Sequence, residues 1–143
     1  MRICLDTSAY SHFRRGVPEA VRAVTRARWV GMTAIVLGEL RVGFRLGSRA
    51  VENEERLRQF LAEPVVAALD VDDEAAAHYA DIVVELRRAG TPLPTNDIWI
   101  AALAAREGAT VVTADCHFDR IGRIGSLILP VEPWARDRAL GEV

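Results

Sequence analysis

Four acidic residues, widely separated in the chain, stand where an acid is out of place. Asp6 ends the apolar run Arg2-Ile3-Cys4-Leu5, and Asp115 follows Val111-Val112-Thr113. Asp97 heads the otherwise apolar stretch PTNDIWIAAL, while Glu39 has Ile35, Val36, Val42 and Gly43 as its neighbours at helical spacing. Taken singly, each has an ordinary reading: an Asp at a helix start is worth roughly 0.3–1 kcal/mol, and Glu39 can be partly exposed or paired with an arginine. Taken together they imply chemistry. Two unit charges 4 Å apart repel by about 4 kcal/mol at an effective dielectric near 20, so clustered carboxylates either protonate or hold a cation. With oxygen donors only and no histidine placed to help, the fitting ions are hard ones, Mg²⁺ or Mn²⁺. One or two such ions suit metal-assisted hydrolysis.

The elements that would position these acids alternate between strand and helix. Residues 2–5 read as a strand buried on both faces. Helices follow at Ser8–Arg14 and Pro18–Arg28, the second with proline in its first turn. A weak strand Trp29–Met32 leads to a helix capped by Thr33 and stopped by Gly47. A charged helix Val51–Leu61, a strand 64–69 and a helix Asp73–Ala89 capped by Asp72 come next. After the breaker TPLP, Thr95 caps a helix to Glu107. A strand Thr110–Thr113, a helical turn His117–Ile121 and a strand Leu127–Leu129 complete the pattern. It argues for an α/β domain, three layers α/β/α, with a central mostly parallel sheet of four to five strands.

In such sheets ligands collect at the carboxyl ends of the strands. Asp6 and Asp115 fall at that edge. A helix of about 12 residues spans roughly 18 Å, so the one that feeds the strand at Thr110 from below must start at the same edge and carry Asp97 there. Glu39 is about 9 Å along its helix axis from the start, and reaches the rim only if that helix tilts over the end of the sheet.

Composition bounds the rest. The chain has 143 residues, half of them hydrophobic, which is enough for one domain with a real core. No apolar run is long enough for a membrane span or a signal peptide, so a cytoplasmic protein is expected, with both cysteines reduced and Cys4 in the core. The net charge of −2 excludes an indiscriminate polycation. All 18 basic residues are arginine. Arg14, Arg15, Arg22, Arg26 and Arg28 stand against the single acid Glu19 between Thr7 and Gly38, an excess that could meet phosphates or simply form a solvated helix face. His12 and His78 read as surface or half-buried residues, Trp99 as core, and Trp29 and Trp134 as packing anchors.

Four blocks carry a family resemblance: Leu5-Asp6-Thr7-Ser8, Met32 to Leu40 around Glu39, Asp97 to Ala102, and Val111 to Phe118 around Asp115. In order and spacing they resemble the acidic blocks of PIN-domain nucleases, and with the chain length they resemble the VapC toxins of bacterial toxin–antitoxin pairs. The resemblance runs from Met1 to about Trp134, which implies a single PIN domain over residues 1–134 and a short C-terminal tail or helix over 135–143. It implies a Mg²⁺- or Mn²⁺-dependent endoribonuclease toxin acting on tRNA, rRNA or mRNA. It also implies a homodimer held inactive by a VapB-like antitoxin in a hetero-oligomer. By position, Asp6, Glu39, Asp97 and Asp115 would be the catalytic metal ligands, supported by hydrogen bonds from Thr7 or Ser8 and Thr113. Asp119 would either face the same ion or take no part. Arg14 and Arg15 are candidates for RNA contact, and His117 either touches RNA or is structural.

Two other readings compete. A catalytically silent PIN-like module could act with an antitoxin in DNA-bound autoregulation, although no acid is missing. A phosphate-transfer enzyme of the haloacid dehalogenase type also begins with an aspartate after a strand, but wants a second acid two residues on, where Ser8 stands.

Overall fold

The computed structural model describes residues 1–131. The expected tail over 135–143 and Trp134 lie outside them. Five strands, β1 (Arg2–Leu5), β2 (Trp29–Thr33), β3 (Val66–Leu69), β4 (Thr110–Thr113) and β5 (Ser126–Ile128), form one sheet in the order β3-β2-β1-β4-β5. Every neighbouring pair is parallel. Six helices flank it: α1 (Thr7–Arg14), α2 (Pro18–Arg26), α3 (Ala34–Leu46), α4 (Ala50–Leu61), α5 (Asp73–Ala89) and α6 (Thr95–Glu107). A short 3₁₀ turn, Cys116–Arg120, joins β4 to β5. This is the α/β/α arrangement read from the alternating pattern.

The central strands are apolar on both faces because both faces are covered. Ile3, Cys4, Leu5, Val30, Met32, Val111 and Val112 are all buried, as a parallel sheet between helices requires. At Gly31, in the middle of β2, an added Cβ would lie 2.7 to 2.9 Å from Trp29, Cys4 and Leu69. Only a hydrogen fits there.

Local signals set most helix ends. Thr33 Oγ1 accepts from the Val36 amide at the start of α3, and Asp72 Oδ1 from that of Ala75 at the start of α5. Gly90 and Gly108 close α5 and α6 with φ of 70° and 60°, a left-handed geometry that glycine adopts without strain. The end of α2 differs from expectation: the helix stops at Arg26, and the Arg28 amide donates to the Met1 carbonyl, so 27–28 already run toward the sheet. Thr95 is the first residue of α6 rather than its cap, and the cap position, Pro94, supplies no side-chain bond. Strand β3 starts two residues late, since the Val66 amide turns back to the Glu63 carbonyl. Among the described residues, no helix is long and apolar enough to cross a membrane.

The chain leaves β1 toward β2 and β3 on one side and returns to β4 and β5 on the other. The direction of winding therefore reverses between β1 and β4, where loops diverge and a crevice opens at the carboxyl ends.

Candidate active site

Asp6 and Asp115 flank that crevice, one just past the end of β1 and the other past β4. Asp6 is buried, with 6% of its surface exposed. A carboxylate so placed must be compensated. Its Oδ1 accepts from the Ala9 amide at 2.8 Å and the Ser8 hydroxyl at 2.7 Å, and its Oδ2 from the Thr113 hydroxyl at 2.5 Å. The residue is thus also the N-cap of α1. Burial pushes its pKa above the ordinary carboxylate range, opposed by the bonds from Thr113, Ser8 and Ala9 and reinforced by the charge of Asp115.

Thr113 ties the two strand-end acids together. While its hydroxyl donates to Asp6, its oxygen accepts from the Asp115 amide at 2.9 Å. Ser8 bridges the same gap: its hydroxyl donates to Asp6 and accepts from the Ala114 amide at 3.0 Å. Asp115 in turn caps the 3₁₀ turn by accepting from the His117 amide at 2.9 Å.

Asp97 arrives on the first turn of α6, whose following residues Ile98, Ile100 and Ala101 to Ala104 are buried. Its pKa is raised to about 6, first by burial, then by the charges of Asp115, Asp6 and Glu39, with His117 pulling the other way. Asp97 therefore lies within the field of all three other acids. Unlike Asp6, it is moved chiefly by burial and charge rather than by hydrogen bonds.

Glu39 also reaches this rim. Its Oε1 accepts from the Thr7 hydroxyl at 3.1 Å, which joins the middle of α3 to the first residue of α1. The tilt that the sequence left open is therefore present, and Glu39 is half-buried beside the site rather than paired with an arginine.

The remaining candidates fall elsewhere. Asp119 is exposed and accepts a hydrogen bond from Ser126 at the start of β5, and it is not among the charges that move Asp6 or Asp97. Arg14 is engaged within the fold: Nε donates to the Tyr10 hydroxyl at 2.9 Å, Nη2 to the Arg56 carbonyl at 3.0 Å, and the guanidinium lies over Tyr10, Phe13 and Phe60. Arg15 is exposed and lines, with Arg14 and Arg56, a cavity of about 270 Å³ between α1, α3 and α4. His12 is buried, not at the surface; its Nδ1 donates to the Ser8 carbonyl at 2.8 Å and braces the turn that carries Ser8. The Ser8–His12 spacing of one helical turn was the available signal. Trp99 is half-buried and stacks on Tyr79 with ring centroids 4.0 Å apart.

The donor set fits a hard cation. Four carboxylates share the rim, near enough for the charges of Asp6, Glu39 and Asp115 to act on Asp97, and neither Asp6 nor Asp97 has an ion-pair partner among the described residues. No three of the four acids bring their oxygens within 4.8 Å of one another. So open an arrangement suits a hard cation that keeps several of its waters better than an all-protein cage.

A family model described as PIN domain matches residues 3–124. The chain belongs to the PIN-domain family. Among its relatives is ribonuclease VapC5 of Mycobacterium tuberculosis, 35% identical over 62% of this chain and 66% of that protein, so the match spans just under two thirds of that relative's length. The tRNA(fMet)-specific endonuclease VapC of Salmonella typhimurium is 31% identical over 94% of this chain and 98% of its own. Among solved structures, a DNA-bound VapBC complex from Salmonella typhimurium superposes with a TM-score of 0.77 at 29% identity, covering 90% of this chain and 98% of that one.

Proposed function

We propose that the protein is a metal-dependent endoribonuclease toxin of the VapC kind, hydrolysing RNA phosphodiester bonds at the rim between β1 and β4. The observation that carries this is the gathering of Asp6 from α1's cap, Glu39 from α3 and Asp115 from the end of β4 around Asp97, whose pKa is raised first by burial and then by their three charges. Carboxylates are assembled against their own repulsion where a cation is to be held.

Asp6, Glu39, Asp97 and Asp115 would hold Mg²⁺ or Mn²⁺, one or two ions. Bound there, the ion supplies a nucleophilic water at neutral pH and neutralises charge on the phosphate. The protein's own residues do the positioning. Thr113 and Ser8 lock Asp6 and hold the Asp115 backbone beside it, and Thr7 fixes the reach of Glu39. Such supporting bonds orient ligands and are typically worth 10–100-fold in metal affinity or activity. Attack by water rather than by the ribose 2′-hydroxyl leaves a 5′-phosphate and a 3′-hydroxyl.

The partner we infer is a VapB-like antitoxin, supported by the VapBC complexes that the fold resembles, with the toxin as a homodimer within the hetero-oligomer. Arg14 and Arg15, both exposed and lining the cavity at α1, are the candidate RNA contacts.

Induced expression of the wild type and of Asp97→Asn, with mapping of new RNA 5′ ends, tests the reading. New 5′-phosphate ends and growth arrest should appear with the wild type alone, and cleavage in vitro should stop in EDTA. Arrest that survives the substitution would count against nuclease action.

A further inference from the structure

The geometry points to a second metal site, for a thiophilic transition ion such as Zn²⁺, formed by Asp115, Cys116 and His117 on the flank of the acid cluster. A carboxylate oxygen of Asp115, the Sγ of Cys116 and a ring nitrogen of His117 lie within 4.8 Å of one another. Among the described residues, no other trio of such donors is so compact. His117 Nδ1 is 3.2 Å from Asp115 Oδ1.

The backbone builds this arrangement. Asp115 caps the 3₁₀ turn by accepting from the His117 amide, which brings the two side chains to one side, and its own amide is fixed by Thr113. Cys116 is a free, exposed thiol and His117 is 52% exposed, so both can turn without disturbing the core. Tetrahedral zinc, with Zn–S of about 2.3 Å and Zn–N of about 2.0 Å, sets neighbouring donors roughly 3.3–3.6 Å apart. From the spacing here, side-chain rotation suffices to reach that.

The donor chemistry separates the two sites. Carboxylates and water suit Mg²⁺ and Mn²⁺, whereas thiolate and imidazole favour Zn²⁺. Three protein donors with the fourth position left to water is the form of an open zinc site. On binding, the Cys116 thiol gives its proton to solvent, since the thiolate is the ligand. The other cysteine does not compete, because burial in the sheet pushes the Cys4 thiol up to about 12.

Asp115 belongs to both sets of donors, so zinc held by Cys116 and His117 draws it from the carboxylate cluster. Zinc thereby inhibits RNA cleavage. This consequence rests on the proposed nuclease function, while the metal site itself does not.

Titration with Co²⁺ as a probe reads the site directly. The wild type should develop a thiolate-to-cobalt charge-transfer absorption that stoichiometric Zn²⁺ abolishes. Cys116→Ser should lose the absorption, and both it and His117→Gln should bind Zn²⁺ at least about tenfold more weakly. In Mg²⁺ buffer, Cys116→Ser should cleave RNA like the wild type without zinc, yet need at least about tenfold more zinc for half-inhibition. A wild-type cobalt spectrum without thiolate absorption, or equal zinc affinity in Cys116→Ser, would overturn the site. Equal inhibition of the two proteins would overturn its regulatory consequence. A protein that binds cobalt through the thiolate but cuts no RNA would leave the site standing and sink the nuclease reading.

Discussion

Replacing Asp97 by asparagine should stabilise the metal-free protein while abolishing its activity. In the folded chain the Asp97 carboxyl is raised to about 6 by burial and by Asp115, Asp6 and Glu39. In the unfolded chain it returns to about 3.9. An acid whose folded pKa is the higher one is bound more tightly to its proton in the folded state. Its destabilising effect is absent below about pH 4, grows as the pH rises, and is complete above about pH 6. At about 1.36 kcal/mol per tenfold change in proton affinity, the full effect would approach ~3 kcal/mol. Asp97 is only half-buried, so solvent screening reduces this to about 1.5 kcal/mol. Asparagine forfeits the favourable interaction with the start of α6, roughly 0.5 kcal/mol. The net expectation is a gain of about 1 kcal/mol at pH 7.5, or roughly 3–5 °C in melting temperature for a domain of this size.

The assay is urea unfolding of both proteins in EDTA at pH 4 and pH 7.5. Asp97→Asn should be the more stable protein at pH 7.5, and the gap should close at pH 4. Added Mg²⁺ should stabilise the wild type by mass action and leave the variant unchanged. A variant that is no more stable than the wild type at pH 7.5 would refute the idea that Asp97 is held against burial and like charges.

The other expectations are as direct. Thr113→Val removes the donor to buried Asp6 and the acceptor for the Asp115 amide; it should cost about 1–3 kcal/mol in urea unfolding, and cleavage should fall with it. Gly31→Ala places a methyl group against Trp29, Cys4 and Leu69 and should lower stability by about 1–3 kcal/mol, seen as a lower urea midpoint, with catalysis intact at low temperature. Asp119→Asn should cleave RNA at close to the wild-type rate, because Asp119 is turned toward Ser126, whereas Asp115→Asn should be inactive. Mg²⁺ binding should release about half a proton at pH 6 and about a tenth at pH 7 as Asp97 ionises, measurable by calorimetry in buffers of different ionisation enthalpy.

Three of the acids could be placed from sequence because strand direction does the work. Once β1 and β4 are parallel, Asp6 and Asp115 share an edge, and a helix that returns to β4 must begin at that edge with Asp97. Glu39 was different in kind. Its position depends on the tilt of α3, which follows from how α3 packs against α1 and α6, and the bond to Thr7 reveals it only in three dimensions. The end of α2 was misread for the same reason, since the bond from Arg28 to Met1 is a long-range one. The bond from Arg14 to the Arg56 carbonyl is likewise long-range, and the sequence carries no local signal for it.

The acids of the rim are also held unequally, and this bears on how the site can exist before a cation enters. Asp6 receives three hydrogen bonds, one of them from the backbone that starts α1, so its position is fixed by folding itself. Such an anchor has no freedom to move away from a neighbouring charge. Asp97 has the opposite character: its pKa is governed chiefly by burial and repulsion. Asp97 therefore relieves both burial and repulsion by retaining a proton more readily than an ordinary carboxylate. On the proposed function, an acid that keeps its proton until a divalent cation displaces it would let the domain fold without metal and still offer its charge when the cation enters.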